Sequence, residues 1–259
     1  MKEIISESAT SIEVFLKMDV SIVITTYNYS RFIGSCIESC IDQVNTRLSY
    51  EIVVVDDGST DNTPDILSSY ASDLVRSFRI ENSGIEKASN FGFSKAIGDY
   101  IVRVDADDLL LPNYLASMEN RLSNKYGFFY SNYQVIDGDD KILKYVHLPK
   151  FDPKEILSRG DFLATGTLVR AAILNQFGPY KCQIINSGLE NYEFVISLLC
   201  NGVNGLHVPE MLFRYRRHSK NISEIKKDAI IQNGKSLFAN NNLGRFTTNK
   251  YHPYDLKVT

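Results

Sequence analysis

No stretch of this 259-residue chain is both long and apolar enough to cross a bilayer, so a spanning helix is not expected. The opening MKEIISESATSIEVFLK has no basic start, apolar middle or small-residue cleavage site, the three parts of a secretion signal. These absences predict a cytoplasmic protein, one that at most rests on the inner face of a membrane. Cysteine is scarce, with four residues and no C-x-x-C pair. Cys36 and Cys40 stand one helical turn apart, which suits core packing better than zinc ligation or a disulfide. An excess of positive charge is missing too. With a net charge of −3, no nucleic-acid partner is expected. Two phosphate cradles are absent: G-x-x-x-x-G-K-[ST] anywhere, and G-x-G-x-x-G after the first predicted strand. That disfavours a nicotinamide dehydrogenase. What remains is a globular composition, 44% hydrophobic and 23% charged, long enough for one large α/β domain or two small ones.

The first half alternates strand and helix. VSIVIT (20–25) is short, apolar and β-branched, as a strand buried on both faces would be. Phe32, Ile33, Cys36, Ile37, Cys40, Ile41 and Val44 then recur at helical spacing, with Ser30 as the expected N-cap. EIVVVDDGST is a second buried strand. NTPDILSSYAS starts a helix, with Thr63 expected to cap it and Pro64 in its first turn. FRI (78–80) is a short strand. A helix through Ile85, Ala88, Gly92 and Ala96 places small residues on one face. YIVRV (100–104) is the next strand, and Pro112 opens another helix. This order predicts a parallel sheet with right-handed crossovers and helices on both faces. In the second half, two aromatic or β-branched runs flank DGDD (137–140), a hairpin signal. FLATGTLVR (162–170) reads as a strand leading to a helix that Gly178 stops. LENYEFVISLLCNG is helical, and LHVPEMLFRYRRH is a strand interrupted by Pro209. Residues 222–238 have helical spacing, and the polar end reads as partly disordered.

Three polar clusters are expected at one edge. In an open α/β sheet, ligands bind beyond the carboxyl ends of the strands. Thr25, Thr26, Tyr27 and Asn28 end the first strand. Asp56 and Asp57 end the second, and Asp105, Asp107 and Asp108 end the strand YIVRV. Three carboxylates within four positions repel one another unless a cation or hydrogen-bond donors answer them. Oxygen-rich sites suit Mg²⁺ or Mn²⁺, which bridge to phosphate oxygens and neutralise a diphosphate leaving group.

VSIVITTYNYSRFIGSCIESCIDQ, YEIVVVDDGSTDNTPDIL and ENSGIEKASNFGFSKAIGDYIVRVDADDLLLPNYL together resemble the family 2 glycosyltransferases, closely over about 19–125 and more weakly to about 220. The resemblance implies a GT-A fold: a Rossmann-like mixed, mostly parallel sheet flanked by helices, with a C-terminal acceptor-side half and a helical tail. It also implies a nucleotide-diphospho-sugar donor, Mn²⁺ or Mg²⁺ as cofactor, inversion at the anomeric carbon, and a glycan or lipid-linked acceptor. The expected division is an N-terminal extension (1–18), a transferase domain (19–220, with a nucleotide-sugar half 19–125 and an acceptor half 126–220) and a C-terminal helix and tail (221–259). Carried over by position, Thr26 and Tyr27, beside Asn28, line the nucleoside pocket. Asp57 accepts a hydrogen bond from the base, with Asp56 supporting its loop. Asp105 faces the ribose, Ala106 lies beside it, and Asp107 ligates the metal. Asp108 caps the next helix or tunes the site. Asn82 to Asn90 run along the donor. The arginine often found before that second Asn is Ser89 here, so its contact is lost or passes to Lys87.

Two further assignments follow from the resemblance. The family often carries Glu-Asp at the start of a helix, where the Asp deprotonates the acceptor. This chain has Glu190 followed by Asn191, and an amide is no base at neutral pH. Either Glu190 takes the role, or the register shifts, or the chain binds nucleotide-sugar with little or no turnover. In FRYRRHSKN, Arg214, Arg216 and His218 would share a strand face, Arg217 or His218 would bind phosphate, and His218 would complete the metal shell. A solvated basic edge strand is the competing account. Thr165 and Gly166 are expected near the sugar. The 222–238 segment docks on the core, pairs with a second copy as a homodimer, or lies on a membrane.

Overall fold

The computed structural model describes residues 18–160, 165–249, 252 and 257–258. In chain order these form β1 (Met18–Thr26), α1 (Ile33–Ile41), β2 (Tyr50–Asp56), α2 (Thr63–Ser69), β3 (Val75–Arg79), α3 (Ile85–Lys95), β4 (Gly98–Asp105), β5 (Leu109–Leu110) and α4 (Tyr114–Glu119). There follow β6 (Phe128–Ile136), β7 (Ile142–Val146), α5 (Pro153–Arg159), β8 (Leu168–Arg170), α6 (Ala171–Phe177), α7 (Glu190–Cys200), β9 (Gly205–Arg216), α8 (Ile222–Ile225) and α9 (Lys227–Asn240). The strands join in one sheet in the order β3-β2-β1-β4-β8-β6-β9-β5, with β7 paired to β6. β1, β2, β3 and β4 are mutually parallel. β8 inserts antiparallel beside β4, and β6 runs parallel to β9. The sheet is thus a mixed α/β sheet with flanking helices, as expected.

β1 and β2 are buried along nearly their whole lengths. That is why their sequences are continuous β-branched runs rather than alternating ones. α3 packs against both strands. Gly92 permits this closeness: a Cβ there would lie 2.5 Å from Val23 Cγ1 and 3.2 Å from Val55 Cγ2. On α1, Ile33, Cys36, Ile37 and Cys40 are buried, and both cysteines are free thiols. At the amino ends of the strands, the buried Glu51 accepts from Ser21 Oγ at 2.6 Å and from the Ile97 N–H at 2.8 Å, and it pairs with Arg76. A charge that no solvent reaches is answered on every side.

Several local expectations change. Ser30 does not cap α1: the helix begins at Ile33, and the Ser30 N–H donates to Asp61. Thr63 is the first residue of α2 rather than its cap, and its N–H also bonds Asp61. One carboxylate therefore serves two turns, which local sequence does not reveal. The helix expected from Pro112 starts at Tyr114 and stops at Glu119. The hairpin turn is as expected, with Asp140 at φ 66°. Pro209 does not break β9: the register slips against β6 there, so a bulge absorbs the missing donor. β9 ends at Arg216, so His218 lies past the strand and shares no strand face with Arg214 and Arg216. Only Leu168–Arg170 of FLATGTLVR is a strand, and 161–164 lie outside the described residues. The 222–238 segment divides into α8 and α9, and α9 docks on the core through Ile230, Leu237 and Phe238. Part of the polar tail expected to be disordered (250, 251, 253–256 and 259) and residues 1–17 of the N-terminal extension lie outside the described residues. Among the described residues, no helix is long and apolar enough to cross a membrane.

Gly92→Ala is expected to destabilise the fold. Overpacking against Val23 costs about 1–3 kcal/mol, more than the roughly 0.5–1 kcal/mol that alanine contributes in a helix. The melting temperature should fall by a few degrees, and an unchanged or higher value would show that α3 can shift to accept the methyl group.

Candidate active site

Strand register builds the site. Thr26 pairs with Asp56, and Thr25 pairs with Asp105, so the carboxyl ends of β2, β1 and β4 lie side by side. Beyond them opens a cleft of about 370 Å³. Thr26, Tyr27, Asp57 and Asn82 line it toward β1 and β2, Asp105, Ala106 and Asp107 at the end of β4, and Glu190 and Asn191 at the start of α7. Asp57 and Asp107 thus share one cavity, although fifty residues separate them in sequence. Asp57 is buried and takes three hydrogen bonds: the N–H and Oγ of Ser83 to Oδ1, and the Gly84 N–H at 2.9 Å to Oδ2. Gly84 is required there, because φ is +91° and a Cβ would meet Ile185 at 2.5 Å.

Other expected residues stand behind the cleft. Asp56 accepts from the Ser59 N–H and pairs with Arg79, holding the loop after β2. Asn28 adopts φ 58°, and its Oδ1 accepts from the N–H groups of Thr60 and Asp61. Asn90 clamps Tyr180 through both the Tyr180 N–H and its carbonyl. Lys87 is exposed and does not line the cleft. Arg217 pairs with Glu224 instead of reaching it. Thr165 Oγ1 accepts from the Asp105 N–H, and Gly166 donates to the Arg103 carbonyl, so both brace β4 rather than line the wall. Asp108 caps no helix. It is fully buried, with Oδ1 accepting from the Arg216 N–H at 2.7 Å, which ties the end of β9 to the β4 turn. His218 does not line the cleft, but its Nε2 lies 2.8 Å from Asp107 Oδ2 and its ring stacks on Phe32.

The electrostatic centre is Arg103. Its Nη1 donates to Glu190 Oε1 at 2.9 Å, and its Nη2 lies 2.9 Å from Asp105 Oδ1, close enough to pair but not aligned for a hydrogen bond. Its guanidinium also sits over the Tyr180 ring. Burial disfavours the Arg103 charge, yet Asp105, Tyr180 and Glu190 more than restore it, and its pKa is raised. Burial pushes Asp105 up to about 6, against the pull of Arg103 and with a further push from Asp107. Asp108 is raised well above the carboxylate range by burial and by its two acidic neighbours. Tyr29, which lines the cleft, is also raised, chiefly by burial.

Asp107 suits a hard divalent cation. Its Oδ2 accepts from His218 and from Asn221 Nδ2, while its Oδ1 takes no hydrogen bond from the described residues. No group of three or more His, Cys, Asp or Glu among the described residues is arranged to hold a metal. Ions that take one or two carboxylates and complete their shell with phosphate and water need no such group.

Sequence reasoning missed Arg103 and the cleft wall made by Asn186, Gly188, Lys220, Asn221, Ile222, Ser223 and Lys226. The signal for Arg103 was present: a lone arginine inside the apolar run YIVRV, four positions ahead of Asp107. The wall residues carried no local signal, because the loop before α7 brings Asn186 and Gly188 to the cleft and the return of the chain after β9 brings the others.

The family model described as glycosyl transferase family 2 matches residues 21–182. The chain is 26% identical over 210 residues to an Escherichia coli protein described as UDP-Glc:alpha-D-GlcNAc-diphosphoundecaprenol beta-1,3-glucosyltransferase WfgD, covering 80% of each chain. Four uncharacterised glycosyltransferases from Nostoc and Rickettsia are 31–36% identical, and the chain spans between 21% and 49% of their length. The fold is shared with S. aureus TarS bound to UDP-GlcNAc, at TM-score 0.67 and 20% identity over 88% of this chain and 67% of that one. It is also shared with the mannosyltransferase PcManGT of Pyrobaculum calidifontis bound to GDP-Man and Mn²⁺, at TM-score 0.66 and 17% identity over 94% and 68%.

Arg103→Met should leave the buried Glu190 and the partly buried Asp105 without their shared cation, at a cost of about 3–5 kcal/mol. Adding Glu190→Gln should recover part of that loss. Urea unfolding of both variants checks this, and a single variant as stable as the parent would remove Arg103 from the centre of the site.

Proposed function

The chain belongs to glycosyl transferase family 2, and from that premise we propose that it moves a sugar from a nucleotide-diphospho-sugar, UDP-linked by preference, to an acceptor hydroxyl with inversion at the anomeric carbon. One observation carries the reading: Asp57, Asp107 and Glu190 line a single cleft at the carboxyl edge of the sheet. Thr26, Tyr27 and Asn82 frame the nucleoside end, and Asp57 offers the base a carboxylate already oriented by Ser83 and Gly84. Asp107, with Asp105 beside it, would hold the divalent cation, and His218 and Asn221 orient its carboxylate. Mn²⁺ or Mg²⁺ bound there offsets the charge of the diphosphate without proton transfer.

Glu190 is the proposed base. It is buried at the cleft wall, Arg103 fixes one of its oxygens, and its Oε2 has no hydrogen-bond partner among the described residues. The acceptor oxygen bonds to C1 as the C1–O bond to the diphosphate breaks. The bonding pair leaves on the diphosphate oxygen, and the hydroxyl proton passes to Glu190. Asn191 has another task. Its Oδ1 accepts from the Tyr180 hydroxyl, whose ring packs on Arg103, so the amide holds the wall of the site rather than reacting. That arrangement favours turnover over donor binding alone. The name of the E. coli relative supports a UDP donor and a diphospho-lipid-linked acceptor, and so a role in surface polysaccharide or glycan synthesis. Such an acceptor would bring the protein to the inner face of a membrane. The Mn²⁺ complex of PcManGT supports the choice of ion.

Transfer from UDP-sugars to a panel of glycan and lipid-linked acceptors should stop in EDTA and return with Mn²⁺. Glu190→Gln should lower kcat by about 10²–10⁴-fold, and Asp107→Ala should abolish metal-dependent transfer while the protein stays folded. Asn191→Asp should not raise the rate. Full activity in Asp107→Ala would refute the metal assignment, and a normal rate in Glu190→Gln would refute the base.

A further inference from the structure

Building on that reading, we propose that Lys220 and Lys226 form the phosphate-binding edge of the cleft and take the diphosphate of the donor. The resemblance implied Lys87, Arg217 or His218 for a phosphate contact, but Lys87 and His218 do not line the cleft and Arg217 is paired with Glu224. The basic side chains that do line it are Arg103, Lys220 and Lys226. Arg103 is engaged by Asp105 and Glu190. The two lysines differ from it: neither pairs with a carboxylate among the described residues, although their neighbours do. Glu224 is held by Arg217 and Lys227, and Lys226 Nζ donates only to the Asn186 carbonyl, at 3.2 Å. Two lysines that line the cleft and pair with no carboxylate among the described residues leave room for an anion from outside.

The backbone at both lysines is tied to the rest of the site. Lys220 lies in the turn between His218 and Asn221, and its N–H donates to His218 Nδ1. Asn221 is buried, and its Nδ2 bonds both Asp107 Oδ2 and the Arg216 carbonyl, each at 3.1 Å. The turn that carries Lys220 is thereby fastened to the proposed metal ligand. Lys226 stands at the junction of α8 and α9, and the carbonyl it contacts is also fixed. The buried Glu86 accepts from the N–H groups of Asn186 and Ser187 at 2.9 and 2.7 Å, which anchors that loop to α3. Ammonium groups on such a frame can follow the charge that grows on the diphosphate as the C1–O bond breaks, and a charge-assisted hydrogen bond is stronger there than in water. The tie of Lys220 to Asp107 assigns the anion to the donor rather than to a diphospho-lipid acceptor.

Calorimetry on the full chain with Mg²⁺ present, using UDP, uridine and inorganic pyrophosphate as probes, tests this. Lys220→Met and Lys226→Met should each weaken UDP binding about tenfold, and the double variant more, while uridine binds as before. Unchanged UDP affinity in the double variant overturns the proposal. So does a double variant whose only defect is a raised KM for a diphospho-lipid acceptor, because that moves the lysines to the acceptor. A parent protein that binds pyrophosphate through the lysines but neither UDP nor uridine would sink the nucleotide-sugar reading and keep the anion site. Absence of pyrophosphate and UDP binding together would overturn both.

Discussion

A buried guanidinium between two carboxylates is the constraint on which the site depends. Arg103 projects from a central strand and meets Asp105 on its own strand and Glu190 at the start of α7. Burying any one of these charges alone is costly, so the three stand or fall together. Through that contact β4 and α7 are set relative to each other. Tyr180 extends the same contact, joining Asn90 on α3, the Arg103 guanidinium and Asn191 on α7. A network that joins β4, α3 and α7 through Arg103 and Tyr180 can hold two carboxylates in place where loops alone could not.

The cleft has two kinds of wall. One is made by strand ends, whose positions follow from parallel pairing and the register of β1 with β2 and β4. The other is made by segments that return from far along the chain: the loop held by Glu86, and the turn held by Asp107 and Asn221. Asp57, Asp105 and Asp107 are gathered on the first wall, and Lys220 and Lys226, paired with no carboxylate among the described residues, on the second. For the proposed donor, a diphosphate accompanied by a cation, each wall would answer one part of the charge.

Asn191 shows how a residue that breaks a family pattern acquires a physical meaning. As an amide it accepts the Tyr180 hydroxyl without adding a charge beside Glu190. A carboxylate at the same place would stand next to a buried glutamate that shares one arginine with Asp105, and like charges that close disfavour ionisation. The amide therefore keeps a further carboxylate away from Glu190 and Asp105, which already share Arg103.

Much of the fold was legible in the sequence. The buried β-branched runs of β1 and β2, the small-residue face of α3 and the hairpin around Asp137–Asp140 all follow from local periodicity and turn chemistry, which depend on near neighbours. The three acidic and polar clusters were legible for the same reason, since each sits at a strand end. The cap residues were not: Asp61 serves the turns that Ser30 and Thr63 were expected to control, from a different segment. Nor was the fate of the basic run at 214–218, in which Arg216 is buried against the Asp107 carbonyl, Arg217 pairs with Glu224, and His218 bonds Asp107. By itself the sequence determined most of the strands and helices and which of their ends are polar, because periodicity and propensity act over a few residues. Only the tertiary structure decided which charges meet, that Arg103 is shared and that Lys220 and Lys226 are left facing the cleft, because electrostatic pairing depends on distance in space and burial, and neither is written in the order of residues.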